Sequence, residues 1–274
     1  MRVTAEEIAD GLRRLGLDKT STVIVHSSLS SFGYVDGGAE AVCQALTSVC
    51  GTLLLPGGSW DLTGIPAPPG IARPNNAYEP AACWAEFDKK LSQATSFRMD
   101  LPVDRWLGVI PETFRRTRSP LRTAHPLFSY QAIGPDAERL LAAQRLDWPL
   151  GPIEALDGDV LLIGVDHTSN TTIHLAEQLL GMSRFYRYAK GPDNTWMELP
   201  NISGESHRFD AIEPALRSVT KEVHIGRSRV RRIPKDAVLA ATTRLVLDNP
   251  AALLCTDNPE CRCAAALNQR LAFV

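Results

Sequence analysis

His174 and Glu177 stand three residues apart in Thr171-Thr172-Ile173-His174-Leu175-Ala176-Glu177, just after an apolar run that ends at Val165. On a helix that spacing puts both side chains on one face, within hydrogen-bond reach. A carboxylate that binds one imidazole nitrogen leaves the other free to take a proton, which is the arrangement of a general base. A core histidine satisfied by its neighbour has the same spacing, and the pattern alone leaves both readings open. His167 lies in the polar loop before this helix, as a second site residue or a plain loop histidine. The free N–H groups of the helix start can also hold an anion.

Three further groups could do chemistry. His26-Ser27-Ser28 closes an apolar strand with an imidazole and two hydroxyls, as a ligand loop or as a polar cap. In Arg122-Thr123-Ala124-His125-Pro126-Leu127-Phe128-Ser129, the proline holds His125 extended and Arg122 could pair with a phosphate. Cys255, Cys261 and Cys263 crowd into nine residues. In a reducing compartment such crowding points to a metal more than to a disulfide framework. Their spacings, five and one intervening residues, depart from the common two-residue zinc pattern, and three thiolates need a fourth ligand. His207 is the best-placed candidate, giving a closed structural zinc site; reduced free cysteines are the competing reading. Cys43, Cys50 and Cys83 read as small buried hydrophobes.

These groups need a frame, and the composition supplies one. Of 274 residues 44% are hydrophobic and 22% charged, which excludes disorder and collagen-like architecture. A net charge of −2 gives no reason to expect nucleic acid or an anionic membrane as partner. The apolar run Val160–Val165 is far too short to span a bilayer. Met1–Glu7 is polar and acidic without an apolar signal segment, so a cytoplasmic protein is expected.

Strands and helices alternate. Thr4 and Glu7 have capping-box spacing ahead of Ile8, Leu12 and Leu15. Strands are expected at 22–26, 52–56, 127–133 and 160–165, with helices near 38–50, 107–116, 136–144 and 171–180. After Gly181, aromatic strands around Gly191-Pro192-Asp193-Asn194 predict a hairpin. A helix at 209–219, a basic strand at 223–233 and a helix at 236–249 follow. Residues 57–105 are irregular, broken by Pro66, Pro68, Pro69, Pro74 and Pro80, with Trp60 and Trp84 inside and Trp106 at the edge. Such an excursion serves as a substrate wall or lid, or is a plain loop. The expected fold is one α/β domain over 1–274: a mixed, largely parallel sheet flanked by helices, with a smaller α+β subdomain from about 182.

Several motifs, in order and spacing, resemble the aminoglycoside 3-N-acetyltransferases. They are Val25-His26-Ser27-Ser28-Leu29 with Gly33 and Gly37-Gly38, then Gly51–Pro56, and then Leu107–Arg115. His125-Pro126, Ser129, Ala132-Ile133-Gly134 and, most specifically, His174-Leu175-Ala176-Glu177 follow. The resemblance covers residues 1–180 well and the remainder loosely. The Gly164–Thr171 loop is similar to the apramycin- and gentamicin-modifying branch, some of which carries a C-terminal Cys/His cluster. The resemblance implies an α/β domain with a minor subdomain, and a cleft that binds acetyl-CoA and an aminoglycoside at opposite ends. The acetyl group would pass directly to the 3-amino group of the 2-deoxystreptamine ring, conferring antibiotic resistance, in a monomer or homodimer.

Carried onto matching positions, the resemblance makes His174 the general base, oriented by Glu177. His26 would help place the thioester or the amine, while Ser27, Ser28, Arg122, His125 and Ser129 would contact the coenzyme arm. A polycationic substrate calls for a carboxylate wall, for which Asp61, Glu112, Asp166 and Glu205 are candidates, with His167 alongside. Residues 57–105 depart from the family pattern. Two rivals remain: a CoA-dependent N-acyltransferase for a non-antibiotic amine, and a zinc hydrolase using His167, His174 and Glu177. Against the hydrolase, the two histidines are seven apart across a loop–helix junction rather than paired on one helical turn.

Overall fold

A computed structural model of the chain describes residues 2–71, 80–182, 184–202, 204–258 and 260–272. Met1 and Pro74, named above, lie outside the described residues. The strands that meet at the cleft are β1 (Thr22–Ser27), β2 (Thr52–Pro56) and β6 (Asp159–Ile163). Their near-continuous apolar sequences fit strands covered on both faces. Alternate side chains then enter two separate cores. Val23, Val25, Leu53, Leu55, Leu161 and Ile163 point into one; Ile24, Leu54, Val160 and Leu162 point into the other. Each such buried side chain contributes about 1.5–3 kcal/mol, so the sheet centre is the rigid part that can hold a site.

Among the described residues, ten strands in two sheets and eight helices longer than one turn frame the cleft. The remaining strands are β3 (Gly64–Ile65), β4 (Leu121–Arg122), β5 (Tyr130–Ile133), β7 (Tyr186–Lys190), β8 (Trp196–Pro200), β9 (Lys221–Ile225) and β10 (Ser228–Pro234). The large sheet has the order β9-β10-β6-β1-β2-β5-β4. Only β6, β1 and β2 run parallel; every other neighbour is antiparallel, so the sheet is mixed rather than largely parallel. A small antiparallel sheet, β8-β7-β3, stands beside it.

On one face lie α1 (Ala5–Arg14), α2 (Gly38–Val49) and α4 (Val109–Arg118); on the other lie α5 (Ala137–Ala142), α6 (Thr171–Leu179) and α7 (Lys235–Asp248). The capping box forms as expected, with the Glu7 N–H donating to Thr4 Oγ1 at 3.2 Å and the Thr4 N–H to Glu7 Oε2 at 2.8 Å. The irregular stretch holds α3 (Trp84–Gln93), and α8 (Arg262–Leu271) packs against Phe185 and Leu254.

Three further expectations need correction. The basic strand at 223–233 is the hairpin β9–β10, turned at Gly226, whose φ of +57° suits glycine. Three of its arginines are paired across the fold, Arg229 and Arg231 with Glu213 and Arg232 with Asp159. Residues 209–219 give a 3₁₀ turn and one helical turn, not a helix. From about residue 182 onward, β7 and β8 stand in the small sheet, while β9, β10 and α7 return to the large sheet and its core. Cys43 and Cys50 are buried as expected, whereas Cys83 is exposed.

Candidate active site

Parallel pairing sets His26 opposite Leu162 and Ser27 opposite Ile163, so β1 and β6 end side by side. Gly164, with a φ of +63°, then turns the chain where a Cβ would collide with the Ser31 side chain. Asn170 starts α6 by accepting the Thr172 N–H at 3.2 Å. A cleft of about 1010 Å³ opens at these carboxyl ends, the favoured ligand position of such sheets.

His174 lines the cleft from α6. Its Nδ1 is 3.1 Å from Glu177 Oε2, and its ring lies against Phe209 with centroids 4.6 Å apart. Both members of the pair are buried, at 7% and 5% exposure. With Nδ1 committed to the carboxylate, Nε2 is the nitrogen left for a substrate. Glu177 Oε1 in turn accepts from Arg270 Nη2, a contact that spacing along the chain could not reveal.

His26, Ser27, Ser28 and Ser129 line the same cleft. The Ser27 hydroxyl and His26 Nε2 are buried without a hydrogen-bond partner among the described residues. Burial pushes the His26 imidazole down to about 4, so it is neutral at pH 7. The other two expected coenzyme contacts do not face the cleft. Arg122 donates to the Met99, Leu101 and Gly57 carbonyls and to Ser129 Oγ, which leaves no fork for a phosphate. Burial lowers this guanidinium to about 10. His125 Nδ1 accepts the Leu127 and Phe128 N–H groups at 3.2 and 3.0 Å, shaping a turn, and burial takes it to about 4.

Of the expected acidic wall, Asp61 and Glu205 line the cleft. Glu205 is 3.2 Å from Arg262 and 3.8 Å from His207. The other two carboxylates are spent elsewhere. Glu112 binds Arg115 at 2.7 Å and the Val103 N–H at 2.9 Å. Asp166 caps the 3₁₀ turn after it by accepting the Thr168 N–H at 3.0 Å. His167 is fully buried and does not line the cleft: its Nδ1 accepts the Asn170 amide at 3.2 Å. Burial, and then Arg231, lower it to about 4. His167, His174 and Glu177 therefore do not converge as metal ligands.

Two cleft features escaped the sequence reading. Asp104, from the irregular stretch, accepts the Trp60 and Asp61 N–H groups at 2.9 and 2.8 Å and so fixes the turn that presents Asp61. Burial pushes its carboxyl up to about 6. Arg187, from β7, lines the cleft and stacks over Trp60 at 3.9 Å and Phe128 at 5.0 Å. The lone cation in the aromatic run Phe185-Tyr186-Arg187-Tyr188 was its signal in the sequence. Behind this wall, one ligand atom from each of His207, Cys255, Cys261 and Cys263 comes within 4.8 Å of the others.

An α/β fold with a large mixed sheet, and a strand-end cleft carrying a buried imidazole–carboxylate pair, is the architecture of a group-transfer enzyme. The profile of the family described as "Aminoglycoside 3-N-acetyltransferase" matches residues 24–246, and the chain belongs to that family. The SPbeta prophage-derived aminoglycoside N(3')-acetyltransferase-like protein YokD of Bacillus subtilis is 37% identical over 183 residues, 64% of each chain. Its crystal structure matches with a TM-score of 0.79 at 28% identity, covering 92% of this chain and 96% of that one. Aminoglycoside N(3)-acetyltransferase VII of Streptomyces paromomycinus is 33% identical over 228 residues, 76% of this chain and 74% of that one. The aminoglycoside acetyltransferase AAC(3)-IVa apoenzyme matches over 98% of both chains with a TM-score of 0.77 and 25% identity. Among the described residues, no helix is long and apolar enough to cross a membrane.

Proposed function

We propose that the protein transfers acetyl from acetyl-CoA to the 3-amino group of a 2-deoxystreptamine aminoglycoside. The observation that carries this is the His174–Glu177 pair buried at the cleft wall of a chain in this family. A protonated amine cannot attack a thioester. The amine therefore reacts in its neutral form: His174 Nε2 takes a proton from it as nitrogen bonds to the carbonyl carbon, while Glu177 holds Nδ1 and stabilises the imidazolium that forms. Collapse of the adduct breaks the carbon–sulfur bond, and the His174 imidazolium returns its proton to the departing sulfur, releasing the coenzyme thiol. Ser27 and Ser28, with His26 neutral beside them, border the donor end. Asp61 and Glu205 attract the cationic acceptor. Thiol release from acetyl-CoA, measured across an aminoglycoside panel, tests the reading; no release with any 2-deoxystreptamine compound overturns it.

Arg187 favours a second reading, in which the acceptor is an amine of lower charge. Its guanidinium, stacked over Trp60 on the cleft wall, adds a positive charge where the acceptor enters, which favours a less cationic amine. Release with small amines and none with aminoglycosides would select it. Either way the reading carries a cytoplasmic protein, monomeric or homodimeric.

The Cys/His cluster suits a structural zinc. Tetrahedral bonds of about 2.3 Å put ligand atoms about 3.8 Å apart, and these atoms already lie within 4.8 Å of one another. His207, Cys255, Cys261 and Cys263 would hold it, tying α8 to the strand-end wall. About one zinc per chain is expected on metal analysis, and Cys261→Ser should lower the Tm. Freshly purified protein without zinc would remove this site.

A further inference from the structure

Glu177 has two oxygens and both are used. Oε2 faces His174 Nδ1, and Oε1 accepts from Arg270 Nη2. Arg270 sits in the last turn of α8, only 1% exposed, and its Nη1 donates to the Pro250 and Ala252 carbonyls at 2.8 and 2.6 Å. The guanidinium is therefore fixed before it meets the carboxylate. A buried carboxylate beside an uncharged ring would be costly to hold in place, and a bound cation offsets that cost. Glu205 is the other charged group on the small cavity behind Glu177, and it is turned to Arg262. Across the ring, Phe209 closes the remaining side of His174. Arg270 lies in the C-terminal segment, beyond the residues 24–246 that match the family profile.

We propose that Arg270 is a positioning residue for acyl transfer: delivered by α8, it holds the Glu177 carboxylate in the orientation that fixes the His174 ring. The proposal rests on His174 acting as the base. It also gives α8, which starts just after Cys261, a role in turnover, because displacing this helix withdraws the cation.

Steady-state kinetics of Arg270→Met, Arg270→Lys, Glu177→Gln, the Glu177→Gln/Arg270→Met double variant and His174→Ala, each with its Tm, test the idea. Arg270→Met should lower kcat by about 10–100-fold with both KM values within about twofold, the signature of a lost transition-state interaction. Arg270→Lys should recover most of that loss. In the Glu177→Gln background, Arg270→Met should add less than about twofold, because the two act as one unit. A lowered Tm with kcat intact, or losses that multiply in the double variant, would overturn the proposal and leave Arg270 a packing residue. If Arg270→Met does not fold, Arg270→Gln replaces it, and Gln must then lose more than Lys; equal losses overturn the proposal. His174→Ala separates the two levels. Full turnover there removes the base reading itself, whereas collapse there with intact Arg270 variants removes only this proposal.

Discussion

His167 and His174 stand seven positions apart, yet one histidine is sealed in the fold and the other opens onto the cleft. His167 sits on a 3₁₀ turn whose neighbour Asn170 donates to its Nδ1, and its Nε2 is buried without a partner among the described residues. His174 sits one turn into α6, where the residue three positions on is a carboxylate and the exposed edge of the ring meets the cleft. An amide holds an imidazole still and neutral; a carboxylate holds it still and ready to take charge. The partner of one ring nitrogen, more than the residue type, decides what the other nitrogen can do.

The sharpest way to break this contrast is to remove both rings in turn. His174→Ala should lower kcat by about 10²–10⁴-fold while acetyl-CoA binding persists. Glu177→Gln, which keeps the ring but loosens it, should cost roughly tenfold less. His167→Gln should leave kcat/KM within about threefold. An equal collapse for the two histidines would show that the buried one also serves the reaction.

Acid stability sharpens the same contrast at intermediate size. His26, His125 and His167 are held near 4 against an ordinary 6.5. As pH falls, the unfolded chain takes up protons that the folded chain refuses. The stability these groups permit is full above about 6.5 and is lost between about 6.5 and 4. Melting curves at pH 7.5 and pH 5 should show the drop, and His125→Gln or His167→Gln should flatten it. A variant that keeps the full slope would show that its histidine is not the proton acceptor.

The smallest expected effects concern the carboxylates. Asp61→Asn should raise the KM of the amine by about three- to tenfold with the acetyl-CoA KM within about twofold. Glu112→Gln and Asp166→Asn should move the amine KM by less than about twofold, since Arg115 and Thr168 already occupy them. A larger shift at either would return that residue to the acceptor wall.

How much of this was legible follows from range. The central strands were readable because Val23–Val25, Leu53–Leu55 and Val160–Ile163 are covered on both faces, which writes an unbroken apolar run. The hairpin at 221–234 was not, because its arginines find Glu213, Glu222 and Asp159 only in three dimensions. Likewise His174 and Glu177 are neighbours on one helix and could be paired from spacing. Glu112 and Asp166 looked like free acids until local N–H groups and Arg115 were seen to hold them. No periodicity predicts that Arg122 and His125 serve loop carbonyls and amides rather than a ligand. Arg187 and Arg270 reach the site across the fold, and nothing in their immediate sequence names their partners.

The contact between Glu177 and Arg270 also sets a clock. The two lie 93 residues apart. At about 5–20 residues per second, the ribosome needs roughly 5–19 s to make the chain between them. The central strands and α6 precede that interval, so a native-like sheet can assemble around a Glu177 whose cation has not yet been synthesised. If Arg270 positions Glu177 as proposed, competence for turnover waits until α8 has been made and docked.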